Sequence, residues 1–380
     1  MTLSATQPPS ERERLTIARP DSAASPFTAI DVLQPARDID GGYGARLRAL
    51  RTAAADFKSE FLTTGKPDYV ETFDLTGVPY PTKFGLWRAA VTPAPLLKIT
   101  NRLTVIRWTE TGGRVRTLLF EPSDGRLGAN TPYLVKLYNS LPKQIRDREI
   151  TTHATVKSVL ANLGIKPQDV DYLAFDHLHT QDVRRWIGTT TPQPDLSPDA
   201  PVEPYFPNAK LLVQRYELEA MADLHPLQVP WYQPETYRDL RPEGLLPLDG
   251  DVLLGPGVAF LSTPGHAYGN HSLVLNTDTG VWVMSENVIA AEAMTPEHSK
   301  IPGLARWARS IGQEVILNAN TIETTAEQYN SIIIEKAIAD PAQADPRFLQ
   351  FFPTSELTGL FLNPGTKPTF SHLHLKHGQF

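Results

Sequence analysis

The sequence feature that most restricts the fold of this chain is a pair of histidines. They are two residues apart and follow a short apolar segment. Residues 172–175 follow a pair of aspartates and have the composition of a short buried strand, and His177 and His179 come next. Residues two apart on an extended chain face the same side, so both imidazoles point to one place. Neutral imidazole is a ligand for zinc, iron and manganese. The pair therefore predicts half of a metal site at the end of a strand.

The residues after the pair indicate the start of a helix. Thr180 can cap a helix with its hydroxyl, and Val183, Trp186 and Ile187 have helical spacing. Asp182 would then lie in the first turn, where a carboxylate can either bind a metal or merely stabilise the helix N-terminus. A lone histidine is more often an ordinary buried polar residue, so the metal hypothesis needs ligands from elsewhere in the chain.

Composition narrows the class of protein and the kind of metal site. The chain has 380 residues, of which 41% are hydrophobic and 21% charged, as in soluble globular proteins. It has no cysteine, which excludes thiolate zinc sites and cysteine nucleophiles. A net charge of −6 argues against a nucleic-acid partner. Because no segment is apolar enough for a signal peptide or a membrane span, we expect a cytoplasmic protein with no membrane contact.

Other histidines and one acidic residue also come at or near the ends of predicted strands. In chain order they are His266 after the strand 258–261, Glu286 after the strand 281–284, and His372 and His374 in a strand over 368–374. Strand ends gather along one edge of a sheet, so ligands that are far apart in the sequence can meet in space. This distribution favours a metal site over scattered structural histidines.

The rest of the chain predicts a mixture of helices, strands and proline-rich loops. The predicted helices are 45–61, 155–163 and 216–222, and the other predicted strands are 103–108, 115–120, 210–214, 252–254 and 271–275. Aromatic residues in the loops 65–97, 189–207 and 225–250 could line an apolar pocket, or could equally lie in the core or at a dimer surface. They are Trp87, Tyr205, Phe206, Trp231 and Tyr232.

In the order and spacing of these residues, the chain resembles the metallo-β-lactamase fold superfamily. That superfamily has a His-x-His-x-Asp-His run at a strand end, a histidine after a Thr-Pro-Gly turn, a carboxylate after a strand and a last histidine near the C-terminus. The matching segments here are 177–182, 263–266, 284–286 and 371–372, and residues 208–213 with Glu217 resemble the mid-chain strand and helix of the family. The resemblance covers residues 100–376 and implies an α/β fold, an αββα sandwich.

The resemblance divides the chain into three parts. They are a flexible N-terminal arm over 1–30, an N-terminal extension over 31–98, and a metallo-β-lactamase-like domain over 99–380. The arm is rich in Ser, Pro, Thr and Arg, a composition typical of mobile segments. A homodimer is a further expectation, with a small molecule as substrate.

The resemblance also implies one or two divalent metal ions, with zinc expected ahead of iron or manganese. His177, His179 and His266 would hold the first ion. The residues implied for the second ion are Asp182, Glu286 and His372, with His374 as the rival of His372 for the last position.

Two departures from the family pattern concern this second ion. Gln181 stands where the family has aspartate, and Asp182 stands where it has histidine. A neutral amide does not supply the negative charge that a second dication needs, so we predict that Asp182 is a ligand and that Gln181 only hydrogen-bonds near the site. The second ion could also be bound weakly or be absent.

The chemistry that the resemblance implies is hydrolysis of an ester, lactone or amide by metal-activated water. Asp182 would help to orient the nucleophile and move protons, and Tyr268 could donate to the developing oxyanion, although it could also be a packing residue. Two alternatives stay open, a di-iron oxidoreductase on the same fold and a degenerate metal-binding protein. A serine hydrolase is disfavoured, because the sequence has no Gly-x-Ser-x-Gly segment.

Overall fold

A computed structural model describes residues 15–17 and 25–380, and these residues form seventeen strands. In chain order the strands are β1 (Thr28–Ile30), β2 (Tyr69–Pro81), β3 (Leu96–Thr109), β4 (Val115–Phe120), β5 (Thr151–Thr152), β6 (Tyr172–Ala174), β7 (Pro192–Gln193), β8 (Ser197–Pro201), β9 (Lys210–Gln214), β10 (Leu245–Leu248), β11 (Asp251–Gly255), β12 (Val258–Ser262), β13 (His271–Thr277), β14 (Gly280–Ser285), β15 (Phe351–Pro353), β16 (Ser355–Thr358) and β17 (Lys376–Gly378).

Helices connect and cover these strands. The α-helices in the described part of the chain are α1 (Gln34–Arg37), α2 (Tyr43–Phe61), α3 (Thr82–Gly85), α4 (Gly125–Gly128), α5 (Pro132–Ser140), α6 (Lys143–Glu149), α7 (Val156–Leu163), α8 (Arg184–Ile187), α9 (Arg215–Ala222), α10 (Leu304–Ile311) and α11 (Thr325–Ile338). Short 3₁₀ helices cover Leu62–Thr64, Pro167–Asp169, Val229–Trp231, Pro234–Tyr237, Pro242–Gly244, Ala291–Ala293 and Pro296–His298. No helix within residues 15–17 and 25–380 combines the length and the apolar character needed to cross a bilayer.

The strands pair into two large sheets. The first has six strands in the order β1-β11-β12-β13-β14-β15. The second has nine, in the order β10-β9-β6-β4-β3-β2-β17, with β16 paired to β3 and β5 paired to β2. β7 and β8 form a separate small hairpin. The predicted strands 103–108, 115–120, 210–214, 252–254, 258–261, 271–275 and 281–284 all lie within strands of the structure.

Alternating side chains show how the two sheets are packed. Leu118 and Phe120 of β4 point into the apolar cluster between the sheets, where they meet Phe260 of β12, whereas Leu119 points to the opposite face. This period of two places one face of each sheet against the other sheet and leaves the outer faces to be covered. α2 and α11 pack against each other, and α11 also contacts β14. The architecture is therefore the αββα sandwich that the sequence implies.

Residues 31–98 are built into this sandwich, which corrects the predicted boundary at residue 99. β2 pairs with β3 along its whole length, from Tyr69 opposite Arg107 to Pro81 opposite Leu96. α2 contributes buried residues to the main core. Most of the predicted arm over 1–30 lies outside the described residues, but its end forms β1, which pairs with β11.

The segment 65–97 is not a plain loop as predicted. In the sequence, Pro79 and Pro81 argue against a strand. In the structure, β5 and β17 pair with β2 only up to Gly77, so both prolines lie where that side of β2 has no neighbouring strand. A proline is tolerated there because its missing N–H removes no ladder hydrogen bond.

Two further local predictions are wrong. The helix expected to begin at Thr180 begins at Arg184, and Thr180 itself has a positive φ of 62° instead of capping a helix. Residues 368–374 form no strand, and the next strand begins only at Lys376.

The strand ends position the candidate site. β4, β6, β9 and β10 are parallel, so their carboxyl ends point the same way, and β15 is parallel to β14. The segments that follow β4, β6, β12, β14 and β15 place Glu121, His177, His266, Glu286 and Ser355 around one cavity. This is the edge at which sheet proteins commonly bind ligands.

Candidate metal centre

Three buried histidines converge at this edge of the sandwich. His177 and His179 lie on the loop after β6, and His266 lies after the Thr-Pro-Gly turn that follows β12. The ring of His177 is 4.4 Å from that of His179 and 4.7 Å from that of His266, centroid to centroid, and the remaining pair is 5.2 Å apart. The structure thus brings together the three histidines that the sequence assigns to the first metal ion.

Each of the three rings uses one nitrogen in a hydrogen bond to a buried acceptor. The acceptors are the Asp176 carboxylate for His177 Nδ1 at 2.5 Å, the side-chain oxygen of Gln228 for His179 Nε2 at 2.8 Å, and the Asn318 carbonyl for His266 Nδ1 at 2.8 Å. The other nitrogens are His177 Nε2, His266 Nε2, which faces Glu286 at 3.9 Å, and His179 Nδ1, which has a long contact of 3.5 Å with the Asn320 side-chain amide. Histidines that bind metals are almost always held by such a hydrogen bond at their other nitrogen.

This donor set fits a divalent cation. One nitrogen of each histidine lies within 4.8 Å of the others. Two ligand atoms at about 2.1 Å from a tetrahedral zinc ion are roughly 3.4 Å apart, so small side-chain movements suffice to close the set. Imidazoles are ligands for divalent transition metals, and the outer hydrogen bonds already orient the rings.

The charges around the histidines favour a cation at this point. Burial lowers the pKa of His266 to about 3 and also lowers that of His179, with the neighbouring His177 adding to both shifts. At His177, burial acts in the same direction but the Asp176 carboxylate outweighs it, and the pKa is about 9. Two rings are therefore neutral, as ligands must be, and Asp176 favours positive charge at the third.

Glu286 lies beside the cluster, as its position after β14 predicts. Its carboxylate is 3.9 Å from His266 Nε2 and accepts a hydrogen bond from the Ser355 hydroxyl. Burial raises the pKa of Glu286 to about 7, against the opposing effect of His177. An acidic group that faces the free nitrogen of a histidine is placed either to bind the same cation or to exchange protons next to it.

Two buried acids near the histidines were not assigned a role from the sequence. Glu121 accepts a hydrogen bond from the backbone N–H of Asp176 at 2.6 Å, and burial together with the Asp176 charge raises its pKa. Asp176 also accepts from the Thr354 hydroxyl at 2.6 Å, and the charge of His177 overcomes burial to hold its pKa at about 2. The sequence could have indicated a role for Asp176, because this residue directly precedes His177. It gave no such indication for Glu121, which follows β4 and has no histidine near it in the sequence.

Asp182 belongs to neither group of closely spaced donors in the described residues, whereas Gln181 lines the same cavity as the histidines, so nothing in the structure supports the prediction that Asp182 is a ligand. Both carboxylate oxygens of Asp182 accept hydrogen bonds from the Arg184 guanidinium, the shortest at 2.7 Å. The Gln181 amide donates to the Ser123 hydroxyl at 3.0 Å. The arginine two residues further along competes with any metal for the Asp182 carboxylate.

The remaining candidate residues also lie away from the three histidines. The His372 ring packs 4.6 Å from Trp282, and its Nε2 donates to the Leu349 carbonyl at 2.8 Å. His374 is half-exposed and contacts Glu71. These placements contradict the prediction that either histidine completes the site, because the segment 368–374 does not form the strand that would have directed them there.

Tyr268, the predicted oxyanion donor, does not line the cavity either. Its ring stacks edge-on against Tyr216, with 5.9 Å between centroids. The packing role that the sequence allowed for Tyr268 is the one that the structure shows.

An apolar cavity opens above the histidines. Its apolar and aromatic lining is Val78, Tyr80, Ile99, Leu134, Tyr138, Ile150 and Trp231. Five loop aromatics were named from the sequence. Trp231 lines this cavity and Tyr232 packs 4.6 Å from His179, whereas Tyr205 and Phe206 pack around Trp186 and Trp87 lines a different pocket. The cavity presents a polar, histidine-lined base and a largely apolar wall.

The hydrogen bond from His179 to Gln228 can be tested by mutation. Gln228 is fully buried, and its amide N–H₂ donates to Glu323 at 3.1 Å, which turns its oxygen toward His179. Gln228→Ala should weaken metal affinity by about 10–100-fold, because the His179 ring loses the acceptor that orients it. Competition titration with a chromophoric chelator measures this change.

Gln233→Ala is a matched control for that experiment. Gln233 lies in the same region and donates to Leu127 and Thr131 and, at 3.5 Å, to the Thr180 carbonyl, but to none of the histidine rings. Its variant should keep wild-type affinity, and equal losses in both variants would show that the effect comes from a general disturbance of the loop.

Comparison with known proteins gives partial matches. No family model matches the chain. An N-acyl homoserine lactonase of Bacillus cereus is 28% identical over 144 residues, which are 36% of this chain and 43% of that protein. One from Bacillus thuringiensis is 29% identical over 136 residues, 34% of this chain and 42% of that protein. The matched region therefore spans less than half the length of these relatives.

Solved structures give a weaker likeness. An N-acyl homoserine lactone hydrolase with N-hexanoyl-L-homoserine at its catalytic metal centre has a TM-score of 0.43 and 20% identity, over 66% of this chain and 90% of that one. A probable metal-dependent hydrolase from Staphylococcus aureus has a TM-score of 0.44 and 14% identity, over 63% of this chain and 79% of that one. The chain's two-sheet sandwich and its histidine cluster agree with the resemblance drawn from its sequence, and its similarity to N-acyl homoserine lactonases covers part of its length.

Proposed function

We propose that this chain is a metal-dependent hydrolase that opens the ring of a small lactone with an apolar substituent. The observation that carries the proposal is the set of three histidines that line one cavity, each with a nitrogen within 4.8 Å of the others. The sequence relatives, which are N-acyl homoserine lactonases, support a lactone as the substrate class.

We infer that the metal is zinc, held by His177, His179 and His266. Three imidazoles with one neighbouring carboxylate form a donor set typical of catalytic zinc. When bound, such an ion supplies a hydroxide nucleophile near neutral pH and polarises a carbonyl group. The protein's part is to fix the three rings, through the hydrogen bonds of Asp176 and Gln228 among others.

The other residues around the cavity supply proton transfer and binding. The Glu286 carboxylate faces the cavity, where it can accept a proton during attack on the lactone carbonyl and return it to the ring oxygen when the C–O bond breaks. The Ser355 hydroxyl orients that carboxylate. Leu134, Ile150 and Trp231 form an apolar wall that can bind the substituent of the lactone and exclude water from the reacting bond.

The proposal predicts chelator-sensitive lactone hydrolysis. Protein purified without added metal should contain zinc and should hydrolyse N-hexanoyl and N-decanoyl homoserine lactone, measured as acid release at constant pH. Treatment with a chelator should remove at least 99% of the rate, and added zinc should restore it. A simple alkyl ester of equal chain length is the comparison substrate and should react more slowly.

Two results would overturn this proposal. One is protein that carries no transition metal and takes none up on reconstitution. The other is hydrolysis that continues at the same rate after chelation has removed all bound metal. Visible absorption together with iron in the purified protein would instead favour an oxidoreductase.

A further inference from the structure

Asp182, which the resemblance implies as a ligand of a second metal ion, takes part in an internal ion pair. Asp182 and Arg184 are both buried, and the carboxylate accepts from the guanidinium and from the Arg184 backbone N–H at 3.1 Å. The guanidinium also pairs with Asp195 at 2.7 Å and with Gln193 at 3.0 Å. A cation that took Asp182 would leave a buried guanidinium with less compensation, which is strongly unfavourable.

His372, also implied for that second ion, and Gln181, the neighbour of Asp182, are engaged in other hydrogen bonds. Gln181 is neutral and hydrogen-bonded to Ser123, and His372 donates from its Nε2 to the Leu349 carbonyl within an aromatic environment. The cavity wall beside Glu286 carries Ser355, and the histidines in the lining of this cavity are those of the three-histidine set. A hydroxyl adds no charge and is already committed to Glu286.

Asp176, His177 and Glu286 form a second group of closely spaced donors in the described residues. This group shares His177 with the three-histidine set. Asp176 is also the acceptor that orients His177, and its other oxygen binds the Thr354 hydroxyl. The group is therefore part of the first site and offers no independent position for another ion.

We propose that the chain binds one divalent cation, held by His177, His179 and His266 with Glu286 beside it, and that the Asp182–Arg184 pair closes the second position. This inference depends on the proposed function and deepens it. A protein with a single metal-binding position cannot hold a di-iron centre. It also assigns to a single ion and the Glu286 carboxylate the tasks that two ions would otherwise share.

Metal counting tests the proposal on the whole protein. Purified wild-type chain is stripped with a chelator, equilibrated with excess Co²⁺, passed over a desalting column and analysed for cobalt. We expect one cobalt per chain, and a visible-absorption titration that saturates at one equivalent. The variant His266→Ala should bind less than one tenth of that amount, whereas Asp182→Asn and His372→Ala should still bind one ion per chain.

The outcomes separate this inference from the proposed function. Two ions per wild-type chain would overturn the single-ion site and leave the hydrolase proposal standing. No ion in the wild type would overturn both. If Asp182→Asn folds, as judged by circular dichroism, and loses metal as His266→Ala does, Asp182 is a ligand and the single-ion proposal fails. Should that variant not fold, the wild-type count and titration still decide.

Discussion

The variant His266→Ala is expected to lose bound metal and lactone hydrolysis together, each by at least 100-fold. Loss of an outer hydrogen-bond partner typically costs 10–100-fold in affinity or activity, so removal of a ligand itself should cost more. The fold should persist, because His266 lies on a loop after β12 and its ring makes one hydrogen bond, to the Asn318 carbonyl. Elemental analysis, initial rates and circular dichroism on the same preparation measure the three quantities.

His298→Ala is the control for this variant. His298 is partly exposed and packs near Phe348, away from the three clustered rings. Its replacement should leave metal content and rate at wild-type values. Full metal content and full activity in the His266 variant would remove that residue from the site.

The clustering of the three histidines was predictable because short-range geometry determines it. The two-residue spacing of His177 and His179 puts both rings on one side wherever the chain is extended, and the Thr-Pro-Gly turn brings His266 in after a strand. Glu286 follows the end of β14 by the same logic. Each of these inferences needs only a strand and the residues directly after it.

The failed predictions depended on which partner a side chain takes. Asp182 was predicted to bind a metal because of its charge. The Arg184 guanidinium, only two residues away, can pair with both carboxylate oxygens wherever the rest of the chain folds. His372 depended on a strand that did not form. Gln228 and Asn318 were missed because neither has a periodic or motif context, and only the tertiary fold brings them to the histidines.

The two loops that carry the histidines are joined by Glu217, a buried residue in the first turn of α9. One carboxylate oxygen accepts from the Leu178 backbone N–H at 2.9 Å and from the Tyr232 hydroxyl at 2.7 Å. The other accepts from the Gly269 backbone N–H at 2.7 Å. A Cβ at position 269 would lie 2.3 Å from the Glu217 Cβ, so this close approach requires glycine.

Replacement of Glu217 by alanine should therefore reduce stability and metal affinity together. The change leaves two backbone N–H groups and one phenol buried without their acceptor, and each unsatisfied group costs about 1–3 kcal/mol. We expect the free energy of unfolding of metal-free protein to fall by roughly 3–5 kcal/mol, since such losses do not add fully. Urea unfolding followed by circular dichroism measures it, and chelator competition measures the affinity.

The variant Glu217→Gln tests whether the carboxylate stabilises the protein by hydrogen-bonding both loops or only by filling the volume of the side chain. Glutamine has the same shape but only one acceptor oxygen, so it can satisfy the donors of one loop and not both. Its stability should lie between those of the alanine variant and the wild type. Glu219→Ala, on the exposed face of the same helix, should change the free energy of unfolding by less than about 0.5 kcal/mol. Equal stability of Glu217→Ala and Glu219→Ala would show that the two histidine loops keep their positions without this carboxylate.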